Sequence, residues 1–375
     1  MKTYILGGCQ TDFERNWKKE GKSYVAMLKE CFDDCISECS INREEIERLN
    51  KINRVECFVG NFIAECFLGQ GHIGGLMTTV DDVFYGMPSA RYEAACASGS
   101  VALDAAISKI NAEEIDMAIV VGFEIMKTVD SKTCGDYLGK AAIYEKEAKG
   151  IDFPFPKLFG KLADEIIKKY NLDEKRFMQN LATISAINYK NAKKNKNAQT
   201  RKWFMNEEHA NRRDTSYNSN VGGKLSVTDC SQVTDGACIV ILVSENYLNE
   251  NGIEKNKYPY VKGRGHRVAP MGFDEKIKDN KDSEYVLPWT RQAIMDAYSK
   301  AKMTVDDIDC FETHDCFTSS EYAAISCFGI TEPGKEYEAI EKGVIDFDGS
   351  KPINPSGRIN WSWTSSTVRL VLECF

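Results

Sequence analysis

The thiol of Cys96 is the group in this sequence best placed for covalent chemistry. Residues 91–103 read RYEAACASGSVAL. Small and apolar residues lead into Cys96. From Ser98 onward the apolar positions Val101, Ala105, Ile107 and Ile110 recur at short helical spacings, which predicts a helix. Cys96 is therefore expected at a strand-to-helix turn, where Ala95, Ala97 and Gly99 keep the chain tight and let a ligand approach the backbone. A thiol there faces unpaired N–H groups and the positive end of a helix dipole. That setting is expected to lower its pKa from about 8.5 and make it a nucleophile. The alternative is a small residue buried at the start of a core helix.

A second set of residues could bind anions. Lys190, Lys193, Lys194, Lys196, Arg201 and Lys202 are followed by Trp203 and Phe204, then by Arg212 and Arg213. Cations suit phosphates and the aromatic rings suit an adenine, so a nucleotide-like site is one reading; a solvated helix end is the other. Cys31, Cys35 and Cys39 recur at four-residue spacing, but one straight helix does not wrap three ligands tetrahedrally around zinc, so no metal is expected.

The elements that must position these groups alternate between strand and helix. Residues 2–8 (KTYILGG) read as a strand and 23–39 as a helix. Asn42 followed by Glu45 opens another helix through Leu49. Residues 54–62 (RVECFVGNF) read as a strand. GQGHIGG at 69–75 lacks the spacing of a phosphate loop, so its glycines are expected to serve close packing and His72 to be structural. MAIVVG at 117–122 has the texture of a buried parallel strand. From about 125 to 220 the sequence turns polar, with helices at 158–170 and 173–191, and reads as an inserted helical domain. Buried-strand texture returns at 232–244. A second α/β region begins near Tyr258, with strands at 260–262 and 309–314 and a helix at 287–303. The domains expected are a first half over 1–125 plus 221–250, an insertion over 126–220 and a second half over 256–375.

The chain has 375 residues, 43% hydrophobic and 28% charged, so it can bury a large core. A net charge of -8 argues against general nucleic-acid binding. No signal sequence or membrane span is legible, and the 14 cysteines read as reduced thiols. A soluble, cytoplasmic protein is expected.

Six segments in order resemble the thiolase superfamily, in particular its sterol-carrier-protein-linked and archaeal acetoacetyl-CoA branches. They are EAACASGSVAL around Cys96, GFEIMK at 122–127, FPFPKLFGKLA at 153–163, DCSQVTDGA at 229–237, ETHDCFT at 312–318 and INPSG at 353–357. The resemblance implies an α/β protein with the five-layered αβαβα fold of two similar halves, usually a homodimer or homotetramer, with a loop domain covering coenzyme A. It implies that Cys96 accepts the acyl group as a thioester, and that His314 helps form an oxyanion hole for the substrate thioester oxygen. Arg201, Lys202 and Gly357 are the expected substrate-binding residues. Coenzyme A thioesters enter as substrates, with no separate cofactor. Archaeal-type relatives often work with a small CoA-handling partner protein.

The resemblance breaks after INPSG. The family continues with a glycine-rich GHP segment whose histidine activates the nucleophilic cysteine; this sequence reads RINWSWTSSTVRLVLECF, and the second half looks truncated. Tryptophan has the single codon TGG. A frame one nucleotide later therefore turns Trp363 with Thr364 into glycine, and does the same to Trp361 with Ser362. Synonymous choices let 358–366 read GLIGVGHP in that frame. A local frameshift in the gene or its sequencing, resolved before Val368, would account for the departure. As written, the chain is expected to be an impaired thiolase-type acyl-CoA C-acyltransferase. The alternative is a catalytically silent protein that binds CoA or a partner.

Overall fold

A computed structural model describes residues 2–357, which divide into two compact units: 2–128 with 234–262, and 129–233 with 263–357. The expected features within 358–375, including the altered segment 358–366, lie outside the described residues.

The first unit is built on a mixed five-stranded sheet. Its strands are β1 (Thr3–Gln10), β2 (Val55–Gly60), β3 (Ser89–Tyr92), β4 (Met117–Ile125) and β7 (Asp235–Ser244), in the order β1-β7-β4-β2-β3. Strands β3, β2 and β4 run parallel, and β7 is antiparallel to both β4 and β1. The helices are α1 (Tyr24–Glu38), α2 (Arg43–Lys51) and α3 (Ser98–Asn111). The Ser23 hydroxyl caps α1; the Asn42 side chain caps α2, as the sequence predicts, by accepting the Glu45 N–H at 2.9 Å.

Alternation along the strands separates two faces. Cys57, Val59, Ile119, Val121, Ile239 and Ile241 join Met27, Leu28, Cys31 and Cys35 of α1 in one buried core. Phe58, Ala118, Val120 and Leu242 point to the other face, where α3 packs on β2 and β4. The three α1 cysteines are packing groups: Cys31 and Cys35 donate to the carbonyls of Cys9 and Ile239, and Cys39 lies so close to Gly7 that a Cβ there would meet its sulfur at 2.8 Å. Of the 69–75 glycines, Gly74 lies against the backbone of Ser89 and Ala90 and Gly75 against the His72 ring, the close packing expected, whereas a Cβ on Gly69 or Gly71 would meet nothing within 4 Å.

The second unit is mainly helical among the described residues. It contains α4 (Ser131–Gly139), α5 (Pro154–Tyr170), α6 (Glu174–Ala192), α7 (Pro288–Ala301) and α8 (Thr318–Phe328), with a short hairpin of β5 (Asn220–Gly222) and β6 (Leu225–Ser226). Every residue of α8 is buried, and α5, α6 and α7 pack around it. Phe177 meets Tyr322 edge-on at 4.8 Å, and Phe159 stacks on Phe317 at 4.3 Å.

Two expected strands reduce to single bridges. Tyr260 pairs once with Tyr4, and Pro259 beside it has no N–H with which to continue a ladder. Phe311 pairs once with Ile353, because the next N–H available for pairing, that of Thr313, is taken by the Asn354 side chain at 2.8 Å. Among the described residues no helix is long and apolar enough to cross a membrane.

Candidate active site

Cys96 lies in the first unit, on a single 3-10 turn (Ala95–Ala97) between β3 and α3. The turn is tight enough to force Ala95 to φ +50°, a left-handed conformation that costs a non-glycine residue about 1–2 kcal/mol. Short bonds hold it. The Ala95 N–H donates to Glu93 at 2.5 Å, and the Ser98 hydroxyl accepts from the Ala94 N–H at 3.0 Å while donating to the Ala95 carbonyl at 2.6 Å. Glycines bring the turn down onto the sheet: a Cβ on Gly60 would lie 2.6 Å from the Gly99 Cα. Cys96 thus stands at the carboxyl ends of parallel strands, the end of such sheets where ligands bind.

The thiol does not titrate as the helix-end argument predicts. Cys96 is exposed as a residue, but its sulfur is desolvated by the surrounding protein. Burial, with the Glu124 charge second, pushes the thiol up to about 11. Desolvation outweighs the terminal N–H groups. At neutral pH the group is a thiol that must surrender its proton in order to react.

Glu124, near the end of β4, is a residue that sequence reasoning missed. Burial raises its carboxyl to about 8, against the Phe62 N–H, which donates to Oε1 at 2.5 Å, and the Arg91 cation. The signal was present in GFEIMK, since a carboxylate within a buried-strand pattern needs an explanation.

His314 lies in the second unit, where three of the six family-like segments meet. The Phe311 N–H donates to the Pro352 carbonyl and the Asn354 N–H to the Phe311 carbonyl, each at 2.8 Å. Ser356 donates to Glu312 through its hydroxyl at 2.6 Å and its N–H at 3.0 Å. The buried amide of Asn188 on α6 donates to Asp315 at 3.0 Å and to Glu321 at 2.6 Å, and Asn354 donates to Glu321 at 3.0 Å. From the DCSQ segment, the Ser231 N–H reaches the Cys316 carbonyl at 2.9 Å and Asp229 accepts from Thr318 at 2.9 Å. This mesh fixes the backbone on both sides of His314. Burial lowers the imidazole to about 4, so at neutral pH it is uncharged and keeps one N–H to donate. Burial also lifts Glu312 to about 7.

The expected binding residues also fall in the second unit. Gly357 has φ +88° and stands against the end of α6, where a Cβ would meet the Ala192 backbone nitrogen at 2.4 Å; that contact alone requires glycine. Arg201 donates to the Ala198 carbonyl at 2.8 Å, and Lys202 is exposed beside the exposed rings of Trp203 and Phe204. Lys193 lies 5.7 Å from the Phe204 ring centre. An open groove of about 750 Å³ runs beside them, lined by Lys190, Lys193, Glu207 and Asp346 and by Arg176, which is paired with Glu341 at 2.7 Å. Two arginines of the expected anion site are engaged elsewhere: Arg212 pairs with Glu208, and Arg213 with the buried Asp229 at 2.6 Å. Among the described residues no cluster of three or more His, Cys, Asp or Glu side chains is arranged to hold a metal.

Comparison with known proteins fits this arrangement. Residues 3–246 match the family model for the thiolase N-terminal domain, and residues 274–371 match the thiolase C-terminal domain-like model. This chain belongs to the thiolase family. It is 30% identical over 354 residues to an acetyl-CoA acetyltransferase of Methanothermobacter thermautotrophicus, covering 94% of this chain and 84% of that protein. It is 22% identical to sterol carrier protein 2 of Homo sapiens, covering 95% of this chain and 61% of the other. Among solved structures, a Ltp2-ChsH2(DUF35) aldolase superposes with a TM-score of 0.67 at 13% identity, over 95% of this chain and 84% of that one. An acetyl-CoA acetyltransferase from Syntrophomonas wolfei superposes with a TM-score of 0.61 at 13% identity, over 95% of this chain and 87% of that one. The fold is the α/β thiolase fold.

Proposed function

We propose that this thiolase-family chain is an acyl-CoA C-acyltransferase, of the acetyl-CoA acetyltransferase or 3-ketoacyl-CoA thiolase type, working through an acyl-Cys96 thioester. The observation that carries the reading is the strained Cys96 turn, held at the carboxyl ends of β2 and β3 by the Gly60–Gly99 contact. The Cys96 sulfur attacks the thioester carbonyl, the carbon–sulfur bond to CoA breaks, and the thiol proton leaves with the CoA sulfur. His314 donates its N–H to a substrate thioester oxygen as charge develops, a contribution of about 3 kcal/mol. Arg201, Lys202 and Gly357 bind the CoA thioester, which is substrate rather than cofactor. In the domain scheme proposed, 126–220 is a loop domain covering CoA, 1–125 plus 221–250 the first thiolase half and 256–375 the second. A cytoplasmic homodimer or homotetramer is the form proposed. A small CoA-handling partner is suggested by one structural neighbour, the Ltp2-ChsH2(DUF35) aldolase, whose name joins a second component to the first.

Turnover is impaired in the chain as written. The histidines are His72, His209, His266 and His314, so none follows INPSG to serve as the GHP base. The same fact favours a second reading, a silent CoA-binding or partner-binding protein. Cleavage of acetoacetyl-CoA by the purified chain, beside a variant with 358–366 replaced by GLIGVGHP, tests both readings. We expect near-background cleavage by the chain and a clear gain in the variant. Robust cleavage by the unaltered chain refutes the impairment. A variant without activity and without acetylation at Cys96 refutes the acyltransferase reading.

A further inference from the structure

Residue parity places the Glu124 carboxyl on the same face of the sheet as the nucleophile. Gly60 meets Gly99 of α3, so the even-numbered side of β2 faces that helix. Gly60 is in register with Gly122 of β4, and Glu124 lies two residues farther along the same face, just past the end of β2. Tyr92, in register with Gly60 on the other side of β2, is four residues before Cys96. The Cys96 turn and Glu124 therefore share one face at one end of three adjacent strands. Between them the sheet is open, since a Cβ on Gly122 would meet nothing within 4 Å. One carboxyl oxygen of Glu124 is held by the Phe62 N–H, which fixes the group's orientation.

We propose that Glu124 is the proton acceptor for Cys96, taking the thiol proton directly or through one water as the sulfur attacks an acyl-CoA, and returning it to the departing CoA sulfur. The inference rests on the acyl-transfer reading. The step balances: the Sγ–H bond and the acyl carbon–sulfur bond of the substrate break, the Cys96 thioester and the S–H of free CoA form, and Glu124 ends ionised as it began. It supplies a route for acylating Cys96 that needs no histidine, although it supplies no base for condensing a second acyl unit.

The surroundings of Glu124 suit the task. It is half-buried, Arg91 favours its ionised form, and Glu65 and Glu93 oppose it, with Arg91 itself paired to Glu65. The resulting pKa of about 8 lies near operating pH, where an acceptor can both take and return a proton. A purely structural carboxylate bound to Phe62 would be replaced without loss by glutamine, which keeps the accepting oxygen.

The test uses the full chain, Glu124→Gln and Glu124→Asp, with two reagents followed at the Cys96 peptide by mass spectrometry at pH 8.5. Iodoacetamide needs only thiolate, and its iodide leaves without a proton; acetyl-CoA needs the proton returned. Removing the carboxylate charge is expected to speed alkylation several-fold, while acetylation falls about 100-fold. The wild-type acetylation rate is expected to rise with pH and level off through about 8, whereas the glutamine variant, left with its thiolate fraction alone, shows no levelling there and the aspartate variant partly restores it. Equal acetylation of wild type and Glu124→Gln overturns the proposal and leaves the acyl-transfer reading intact. Alkylation and acetylation falling together point to a structural role and also overturn it. A wild-type chain alkylated but never acetylated at Cys96 refutes the acyl-transfer reading, and the proton step with it.

Discussion

Replacing Gly60 with alanine probes the contact that sets Cys96 in place. The new Cβ would stand 2.6 Å from the Gly99 Cα and 2.7 Å from both the Gly99 nitrogen and the Ser98 carbonyl oxygen, where ordinary contact begins at 3.4 Å. All three atoms are backbone, so no side chain can swing aside. The start of α3 must lift from β2 by about 0.8 Å, and forced overpacking of this kind costs about 1–3 kcal/mol. Because Cys96 is three residues before Gly99, its sulfur moves too, and a displacement approaching 1 Å lowers a positioned reaction by about 100-fold. Urea unfolding reads the first effect, and the rate of Cys96 acetylation by acetyl-CoA reads the second. Gly122→Ala is the control: with nothing within 4 Å of its Cβ, it is expected to match or slightly exceed the wild-type unfolding midpoint. If Gly60→Ala unfolds at the wild-type urea concentration and is acetylated at the wild-type rate, the claim that this contact positions the nucleophile is wrong.

Other consequences are open to direct measurement. Asp229→Ala removes the acceptor of Arg213, of the Ser226 N–H and of the Thr318 hydroxyl, stranding a largely buried cation, so a loss of about 3–5 kcal/mol is expected in chemical denaturation. A loss under 1 kcal/mol would contradict it. Burial raises Glu124 to about 8 and Glu312 to about 7, while unfolded glutamates ionise near about 4.3. The folded chain therefore holds more protons across this window, and the stability these two groups contribute at low pH is lost as pH rises through 7 and 8. The urea midpoint should fall between pH 6 and pH 8.5, more steeply in wild type than in Glu124→Gln; a rising midpoint would contradict the assignment. The double variant Arg201→Ala, Lys202→Ala should raise the acetyl-CoA concentration for half-maximal Cys96 acetylation by about tenfold with little change in the limiting rate. An unchanged concentration dependence would remove both residues from the binding site.

Local signals in the sequence carried much of the fold. Helix α1, the Asn42 cap of α2, the apolar run of β4 and the turn before α3 are each written in a short window of spacing and composition. What needed distant partners was not legible. Residues 309–314 have strand texture, yet the Asn354 side chain takes the Thr313 N–H and stops the ladder after one bridge. The rise in the Cys96 pKa comes from desolvation and from Glu124, a residue 28 positions away, which a helix-end argument does not include. The importance of Glu124 depends on the register of Gly60 with Gly122, and the setting of His314 on bonds from Asn188, Asn354 and Ser231, all remote in sequence.

The central claim, that Cys96 carries an acyl group as a thioester, is tested most directly by one measurement. The full chain is incubated with acetyl-CoA, digested, and the peptide containing Cys96 is weighed before and after hydroxylamine, beside a Cys96→Ser control. The account predicts an acetyl group on Cys96 that hydroxylamine removes and the control lacks. A Cys96 peptide that stays unacetylated in a sample where iodoacetamide alkylates it would contradict the account.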